Sequence, residues 1–303
     1  MGISVTILGS NSALPTSERN PTAQVLNASG RFFLIDCGEG TQMQLRRNRV
    51  HFGKIDHVFI SHLHGDHVFG LPGLISSFGL LGRTNDLHIH GVADLEMVLR
   101  PVIDYFSREL PFKVVFHHIN PLEKELIYED AALEVATFPV EHRIPTVGFL
   151  FREKPKERKI NKQMCDFYEV PLRVLPKLKK GEDFIPDSGG HVPNTKLTLP
   201  APPSVSYAFC TDTRPLPSVV EVVKGVDMLY HEATFMSDQE GLAYKTFHST
   251  ARQAAKVALQ AGVKKLLIGH FSSRYKDLSP LLSEAREVFP DTEIATEGVT
   301  FEI

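Results

Sequence analysis

The sequence predicts a layered α/β fold made of two halves of similar plan, and three observations carry the prediction. Short apolar runs alternate with helix-forming segments through most of the 303 residues, the pattern of sheets covered by helices. Several of these runs end directly on a potential ligand: Ile60 before Ser61-His62, Cys210 before Thr211-Asp212, and Ile268 before Gly269-His270. Functional groups in α/β folds gather beyond strand ends, where a rigid sheet holds the loops. The alternation breaks once, over residues 152 to about 203, which are rich in Pro, Lys and Gly. The first half of that break reads as a protruding arm rather than a second core.

In chain order, residues 5–8 form the first strand and lead into a Gly/Ser/Asn/Pro loop that runs to Asn20-Pro21. A second strand, 31–35, is short and apolar and stops at Asp36-Cys37-Gly38-Glu39-Gly40, a turn composition. Residues 41–49 read as a basic helix. The apolar run 57–60 is a strand, and 70–81 follow as a glycine-containing helix. A strand at 87–91, a helix at 94–106 and strands at 114–118, 125–128 and 132–138 complete the first half. In the second half, strands at 205–210, 226–230 and 265–269 end at Thr211-Asp212-Thr213, His231-Glu232-Ala233-Thr234 and His270. Residues 250–261 are good helix formers with Ser249 or Thr250 as the cap. Residues 284–288 lie in a last helix, and 298–303 close the chain as a strand.

The stretch Ser61-His62-Leu63-His64-Gly65-Asp66-His67 is the strongest chemical signal. Neutral imidazoles and a carboxylate suit Zn²⁺ and its first-row neighbours. The order H-x-H-x-D-H sets His62 and His64 on one side of a turn and Asp66 and His67 on the other, so it can feed two adjacent metals. Such sites hold their ions roughly 3.5–4 Å apart and hydrolyse by in-line attack. Folding must supply the remaining ligands; His142, Asp212 and His270 each sit in a loop after an apolar stretch. A carboxylate can offer one oxygen to each metal, which makes Asp212 the natural bridge. Asp36 is placed to accept a hydrogen bond from a ligand imidazole and orient it. His51, His57, His88, His90, His117, His118 and His191 have no ligand-like neighbours in sequence and read as ordinary polar or half-buried histidines.

Composition narrows the class. With 42% hydrophobic and 23% charged residues the chain is an ordinary soluble globular protein. No apolar run approaches the roughly 20 residues of a membrane span, and no signal segment opens the chain. Met1-Gly2 with Thr6 fits the loose myristoylation pattern, but residues 3–8 read as a strand, so no lipid is expected. Cys37, Cys165 and Cys210 are odd in number and far apart, against a disulfide framework and for a cytoplasmic protein. Net charge is −3, yet residues 152–180 carry ten Lys/Arg against four Asp/Glu, a local +6 that leaves about −9 elsewhere. A basic island on an acidic body is a candidate polyanion contact.

Further motifs converge. Leu8-Gly9-Ser10 with Pro15-Thr16-Ser17-Glu18-Arg19-Asn20, the run Leu34 to Gln42 through Asp36-Cys37-Gly38-Glu39-Gly40-Thr41, His231-Glu232-Ala233-Thr234, Phe247-His248-Ser249-Thr250 and Gly269-His270-Phe271-Ser272-Ser273-Arg274-Tyr275 join the histidine motif. Together they resemble the metallo-β-lactamase superfamily, and within it the short-form tRNA 3′-processing endonucleases, ribonuclease Z, over nearly the whole chain. The resemblance implies a four-layer αββα sandwich as a single domain over 1–303, with an inserted flexible basic arm over 152–181. It assigns His62, His64 and His142 to one zinc, Asp66, His67 and His270 to a second, and Asp212 as the bridge, with Mn²⁺ or Mg²⁺ as substitutes for the two Zn²⁺ per chain. It implies that precursor tRNA is cut after the discriminator base, leaving a tRNA 3′-hydroxyl. Asp66 would orient the attacking water, His248 would contact phosphate or protonate the leaving oxygen, and His231 with Glu232 would orient His248. Arg19, Lys177, Lys179, Lys180 and Arg274 would contact substrate, the arm gripping the tRNA elbow from the neighbouring subunit of a homodimer. No membrane and no stable protein partner are expected. The alternatives are a small-molecule hydrolase on the same scaffold (arylsulfatase, lactonase or cyclic-nucleotide phosphodiesterase type) and a non-catalytic zinc-stabilised RNA-binding module. The basic arm argues against the first and the surplus of ligands against the second.

Overall fold

The structure, a computed structural model, describes residues 2–187 and 189–303. It divides into two compact units, one of Met1–Glu129, Glu134–Arg152 and Val205–Ile303, the other of Asp130–Leu133 and Glu153–Ser204. In the first half the strands are β1 Ile3–Gly9, β2 Ala23–Ala28, β3 Arg31–Ile35, β4 Ile55–Phe59, β5 Leu87–Gly91 and β6 Val114–His118. Between them lie helices α1 Thr41–Arg47, α2 Gly65–Val68, α3 Leu71–Leu80 and, after β5, α4 Ala93–Phe106. Strands β7 Leu126–Glu129, β8 Leu133–Pro139 and β9 Val147–Glu153 follow. Beyond the second unit come β12 Ser206–Cys210, α8 Pro217–Val222, β13 Met228–Glu232, α9 Glu240–Thr246, α10 Ala251–Ala261, β14 Lys265–Gly269, α11 Ser279–Arg286, β15 Thr292–Ile294 and β16 Thr300–Glu302.

The larger unit is the expected αββα sandwich. One seven-stranded sheet runs β16-β1-β2-β3-β4-β5-β6 and the other β15-β14-β13-β12-β9-β8-β7. Period-2 alternation sends one side of each strand to helices and the other to the facing sheet. On the first sheet Leu34, Val58 and Ile89 pack with Leu45 of α1, Leu74 and Phe78 of α3 and Leu99 of α4. On the second, Ala208, Leu229 and Leu266 meet the alanine face of α10 and Leu281 of α11. Between the sheets an aromatic layer forms, with Phe59 against Phe149 and Phe151, and Phe209 stacked on Tyr230. Thr250 caps α10 in a reciprocal capping box with Gln253. The N-terminal segment is a paired strand of the sheet, β1 between β16 and β2.

Three differences from the sequence reading have physical causes. Strand β2 hides its periodicity because Gln24 is buried and takes a hydrogen bond from Tyr207. Strand β9 is apolar on both faces and is interrupted by Gly148, where a Cβ would meet the Phe138 ring at 2.2 Å. The histidines read as isolated are neighbours across strands. The register pairs His57 with His88 and His90 with His117, His57 Nδ1 lies 3.1 Å from His90 Nε2, and His88 Nδ1 lies 2.9 Å from His117 Nε2.

The smaller unit carries short elements: β10 Lys159–Ile160 paired with β11 Thr198–Leu199, and helices α5 Lys162–Phe167, α6 Leu175–Lys179 and α7 Asn194–Leu197. Cys165, Leu178, Phe184, Val192 and Leu197 form its small core. The buried Asn194 amide ties it together by donating to the carbonyls of Leu178 and Glu182. The expectation of an arm over 152–181 without a core of its own is therefore corrected: the compact piece runs on to Ser204 and closes on apolar residues spaced too widely for periodicity to register. No helix among the described residues is long and apolar enough to cross a membrane.

Candidate metal centre

The histidine motif leaves the end of β4 and turns through α2, which presents Asp66 and His67 directly after Gly65. Close approach explains the glycines here: a Cβ on Gly65 would meet the Phe69 ring at 2.3 Å, and one on Gly70 would meet the Gly38 carbonyl at 2.2 Å. His142 comes from the loop between β8 and β9, while Asp212 and His270 follow β12 and β14. Asp36, Asp212 and His270 all sit at positive φ (55°, 44° and 56°), a region costly to residues other than glycine and one that recurs at functional sites.

Candidate ligand atoms within 4.8 Å of one another include two groups made of predicted ligands, His62, His64, His142 and Asp212 in one and Asp66, His67 and His270 in the other, and a third joins His248 to Asp212 and His270. In the first, His64 Nδ1 is 3.0 Å from His62 Nε2 and 3.2 Å from His142 Nε2. In the second, Asp66 Oδ2 lies 3.4 Å from both His67 Nε2 and His270 Nε2. Asp212 turns Oδ2 to the first group, 3.6 Å from His62 and His142, and Oδ1 to the second, 3.4 Å from His67 and 3.2 Å from His270. Most of the rings are anchored through the other nitrogen, as ligand imidazoles are. His67 Nδ1 donates to Asp36 at 2.7 Å, His142 Nδ1 to the Phe247 carbonyl at 3.1 Å, and His270 Nδ1 pairs with Thr234 Oγ1 at 3.0 Å.

These groups fit divalent metal. Ligation requires neutral imidazole and ionised carboxylate. Burial pushes His62, His64 and His142 down, towards the neutral form. Burial works against ionising Asp212, yet His270, His67 and His62 hold its carboxyl well below the usual range. Burial likewise opposes charge on His67, but Asp66, Asp212 and Asp36 draw positive charge there. The cluster lies in a cavity of about 580 Å³ whose lining includes Ser12, His64, Asp66, Phe69, His142 and His248.

The remaining predicted residues divide. His248 lines this cavity, and its Nδ1 donates to Glu232 Oε1 at 2.8 Å. Glu232 is fully buried and also accepts from the Thr213 and Thr234 amides. Burial opposes charge on His248, but the Glu232 carboxylate lifts its pKa to about 9. His248 also comes within ligand range of Asp212 and His270. His231 does not join them: it is fully buried in β13, points Nδ1 at the Glu232 carbonyl and is absent from the cavity lining. Strand β13 runs to Glu232, so the alternation of side chains turns His231 away from the face that Glu232 takes. Arg19 is engaged locally, with Nε on Asn11 Oδ1 and Nη2 on the Tyr275 carbonyl. Arg274 is exposed and lies over Phe235. Lys177, Lys179 and Lys180 are exposed at the end of α6, beside the buried Leu178. Thr234 carries no ligand signal in the sequence, yet its hydroxyl touches both Glu232 and His270 and joins the His248–Glu232 pair to His270.

Two facing sheets with outer helices and a divided His/Asp cluster beyond the strand ends define a metallo-β-lactamase-type hydrolase fold. A solved structure titled as the metallo-β-lactamase fold protein YhfI of Bacillus subtilis superposes with a TM-score of 0.71 at 18% identity, covering 99% of each chain. Human tRNase Z, short form, superposes with a TM-score of 0.73 at 26% identity over 98% of both chains. Ribonuclease Z of Parabacteroides distasonis is 48% identical across 99% of this chain and 98% of its own length. That of Bacteroides thetaiotaomicron is 51% identical across 98% and 94%. A family model described as anti-Pycsar protein Apyc1 matches residues 3–164. The chain belongs to the ribonuclease Z family, and its residues 3–164 also belong to the family that this model describes.

Proposed function

We propose that this protein is a tRNA 3′-processing endoribonuclease that hydrolyses precursor tRNA after the discriminator base and leaves a 3′-hydroxyl on the tRNA. Near full-length identity to ribonuclease Z supports the reaction class. The structural observation that carries it is the His248–Glu232 pair set beside a two-part ligand cluster. His62, His64 and His142 would hold one Zn²⁺ and Asp66, His67 and His270 the other, with Asp212 between. When bound, the metals supply Lewis-acid polarisation of the phosphoryl oxygens and lower the pKa of the attacking water towards about 7.

The chain's own groups do the rest. Asp66 Oδ2 accepts the Ala13 amide at 2.8 Å; its carboxylate orients the attacking water and takes its proton. His248 has Nδ1 committed to Glu232, which leaves Nε2 for the cavity it lines. From there it protonates the leaving 3′-oxygen, an acid held in charge and orientation by a buried carboxylate. Lys177 and Lys179 of α6, with Lys180 just beyond it, grip the tRNA body by phosphate contacts. In our reading the enzyme is a homodimer in which one subunit's arm serves its partner's substrate. We take its compartment to be the cytoplasm, in keeping with free Cys37, Cys165 and Cys210.

The test is incubation of zinc-loaded protein with a precursor tRNA lacking an encoded CCA end, mapping the product 3′ terminus. A single cut after the discriminator, abolished by Asp66→Ala and slowed by His248→Ala with metal content intact, is the expected result. Loss of zinc in His248→Ala would instead make His248 a ligand. Because the arm belongs to a folded unit, charge removal is a cleaner probe than deletion. Lys177, Lys179 and Lys180 changed together to Ala should weaken tRNA cleavage and spare a small nitrophenyl phosphodiester. Hydrolysis of small esters without any cut in tRNA would move the assignment to a small-molecule hydrolase.

A further inference from the structure

Three loops carry His142, Asp212 and His248, and one side chain clasps them. Arg214 Nη1 donates to Glu141 Oε1 at 2.8 Å, while Nε and Nη2 both donate to the Tyr244 carbonyl, at 3.0 and 2.7 Å. Its guanidinium lies between two rings, 3.9 Å from the Tyr244 centroid and 3.7 Å from that of Phe247. The side chain is 17% exposed, and three of its N–H groups are taken up by Glu141 and the Tyr244 carbonyl. Two of its partners, Glu141 and Phe247, adjoin site residues. Glu141 precedes His142, and its amide donates to Thr213 Oγ1 while its carbonyl accepts the Arg214 amide. Phe247 precedes His248, and its carbonyl accepts His142 Nδ1 at 3.1 Å. Phe247 ends α9 at φ 61°, ψ 44°, a left-handed position that an aromatic residue adopts only when its surroundings hold it there.

We propose that Arg214 is a positioning residue that sets His142 and His248 at their working separation, the two rings being 5.2 Å apart between centroids. It does so by pressing Phe247 into its left-handed turn, so that the Phe247 carbonyl orients His142 while the next residue aims at Glu232. Lysine cannot replace it: an ammonium has no planar fork to stack between two rings and bond two loops at once. The inference rests on the proposed roles of His142 and His248 in the metallohydrolase site.

The experiment compares wild type, Arg214→Lys and Arg214→Ala in three readouts: kcat and KM on precursor tRNA and on a nitrophenyl phosphodiester, zinc affinity by competition with a chelator, and melting temperature. Partners that orient metal ligands are typically worth 10–100-fold. Arg214→Ala is therefore expected to lose about 10- to 100-fold in kcat on both substrates with KM within about twofold, and to bind one of two zinc ions about 10-fold more weakly. Arg214→Lys should resemble Ala, and millimolar guanidinium should restore kcat in Ala by entering the slot between the rings. A loss confined to KM would make Arg214 a substrate contact and overturn the proposal. So would a loss of kcat that follows the melting temperature, full activity in Arg214→Lys, or absence of guanidinium rescue. If wild type hydrolyses only the small diester and Arg214→Ala shows this pattern there, the tRNA assignment falls and the positioning role stands.

Discussion

Replacing His90 by phenylalanine should flatten the loss of stability that acid brings. His90 is 2% exposed and stacks on Phe59 and His117, with ring centroids 4.5 and 4.4 Å away. Its Nε2 meets His57 Nδ1 at 3.1 Å, and its Nδ1 has no partner among the described residues. Burial pushes its pKa down to about 2, and repulsion from His117, His57 and His88 acts in the same direction. The folded protein keeps this ring neutral, whereas an unfolded chain protonates it near pH 6.5. A depressed folded pKa therefore gives stability that is whole above pH 6.5 and lost as pH falls, at about 1.36 kcal/mol per unit. Between pH 6.5 and 4.5 the loss is on the order of 2 kcal/mol, a large part of the 5–15 kcal/mol that holds a typical domain. His57, lowered to about 4 by burial and then by His88, is half-buried and adds a smaller, solvent-screened share. Urea unfolding of chelator-treated protein at pH 7.5, 6.5, 5.5 and 4.5 measures the slope with metal binding removed from the comparison. His90→Phe keeps a ring against Phe59 and should reduce the slope by about 1 kcal/mol per pH unit below pH 6.5. Equal slopes in the two proteins would refute the reasoning, because His90 would then titrate as freely folded as unfolded.

Two further outcomes follow from the site's supports. Asp36 accepts the Ser61 amide, the Ser61 hydroxyl and His67 Nδ1 within 2.7 to 2.9 Å. Asp36→Asn sets an amide NH₂ where only acceptors fit, and should weaken zinc binding about 10–100-fold with the fold intact; unchanged affinity in a chelator titration would show that His67 needs no carboxylate. A Cβ on Gly70 would meet the backbone carbonyls of Gly38 and Cys37 at 2.2 and 2.9 Å, whereas one on Gly73 meets only the movable end of Gln42 at 2.7 Å. Gly70→Ala should cost about 1–3 kcal/mol or more as overpacking and displace the loop that carries Asp36. Gly73→Ala should be neutral or stabilising, since alanine is the better helix former. Similar urea midpoints for the two variants would sink the close-packing account.

What could be read from the sequence follows the range of each interaction. His62, His64, Asp66 and His67 stand within six residues, so their shared turn was legible without any knowledge of the fold. His142, Asp212 and His270 were legible as loop residues after strands, but only strand order brings their loops to one end of the sandwich. His231 marks the limit. Sequence placed His231 and Glu232 together just beyond a strand; β13 extends through both, and alternation then gives Glu232 to the site and His231 to the interior. The cross-strand histidines fail to register for the same reason, since His57, His88, His90 and His117 are neighbours by register and not by spacing.

That contrast also explains how the site is held. Two of the residues that would bind metal, Asp212 and His270, lie on loops whose backbone is costly to hold, with positive φ there as well as at Asp36 and Phe247 beside the site. Local sequence does not favour such conformations. They persist because groups distant in sequence hold them: Ser249 Oγ on the Thr213 carbonyl, Thr234 Oγ1 on the His270 carbonyl, and Arg214 against Phe247. Ligand identity is thus written in short motifs, while ligand geometry depends on hydroxyls and one guanidinium that motif reading passes over. Removing one of those supports should therefore change metal affinity and kcat before it changes overall stability.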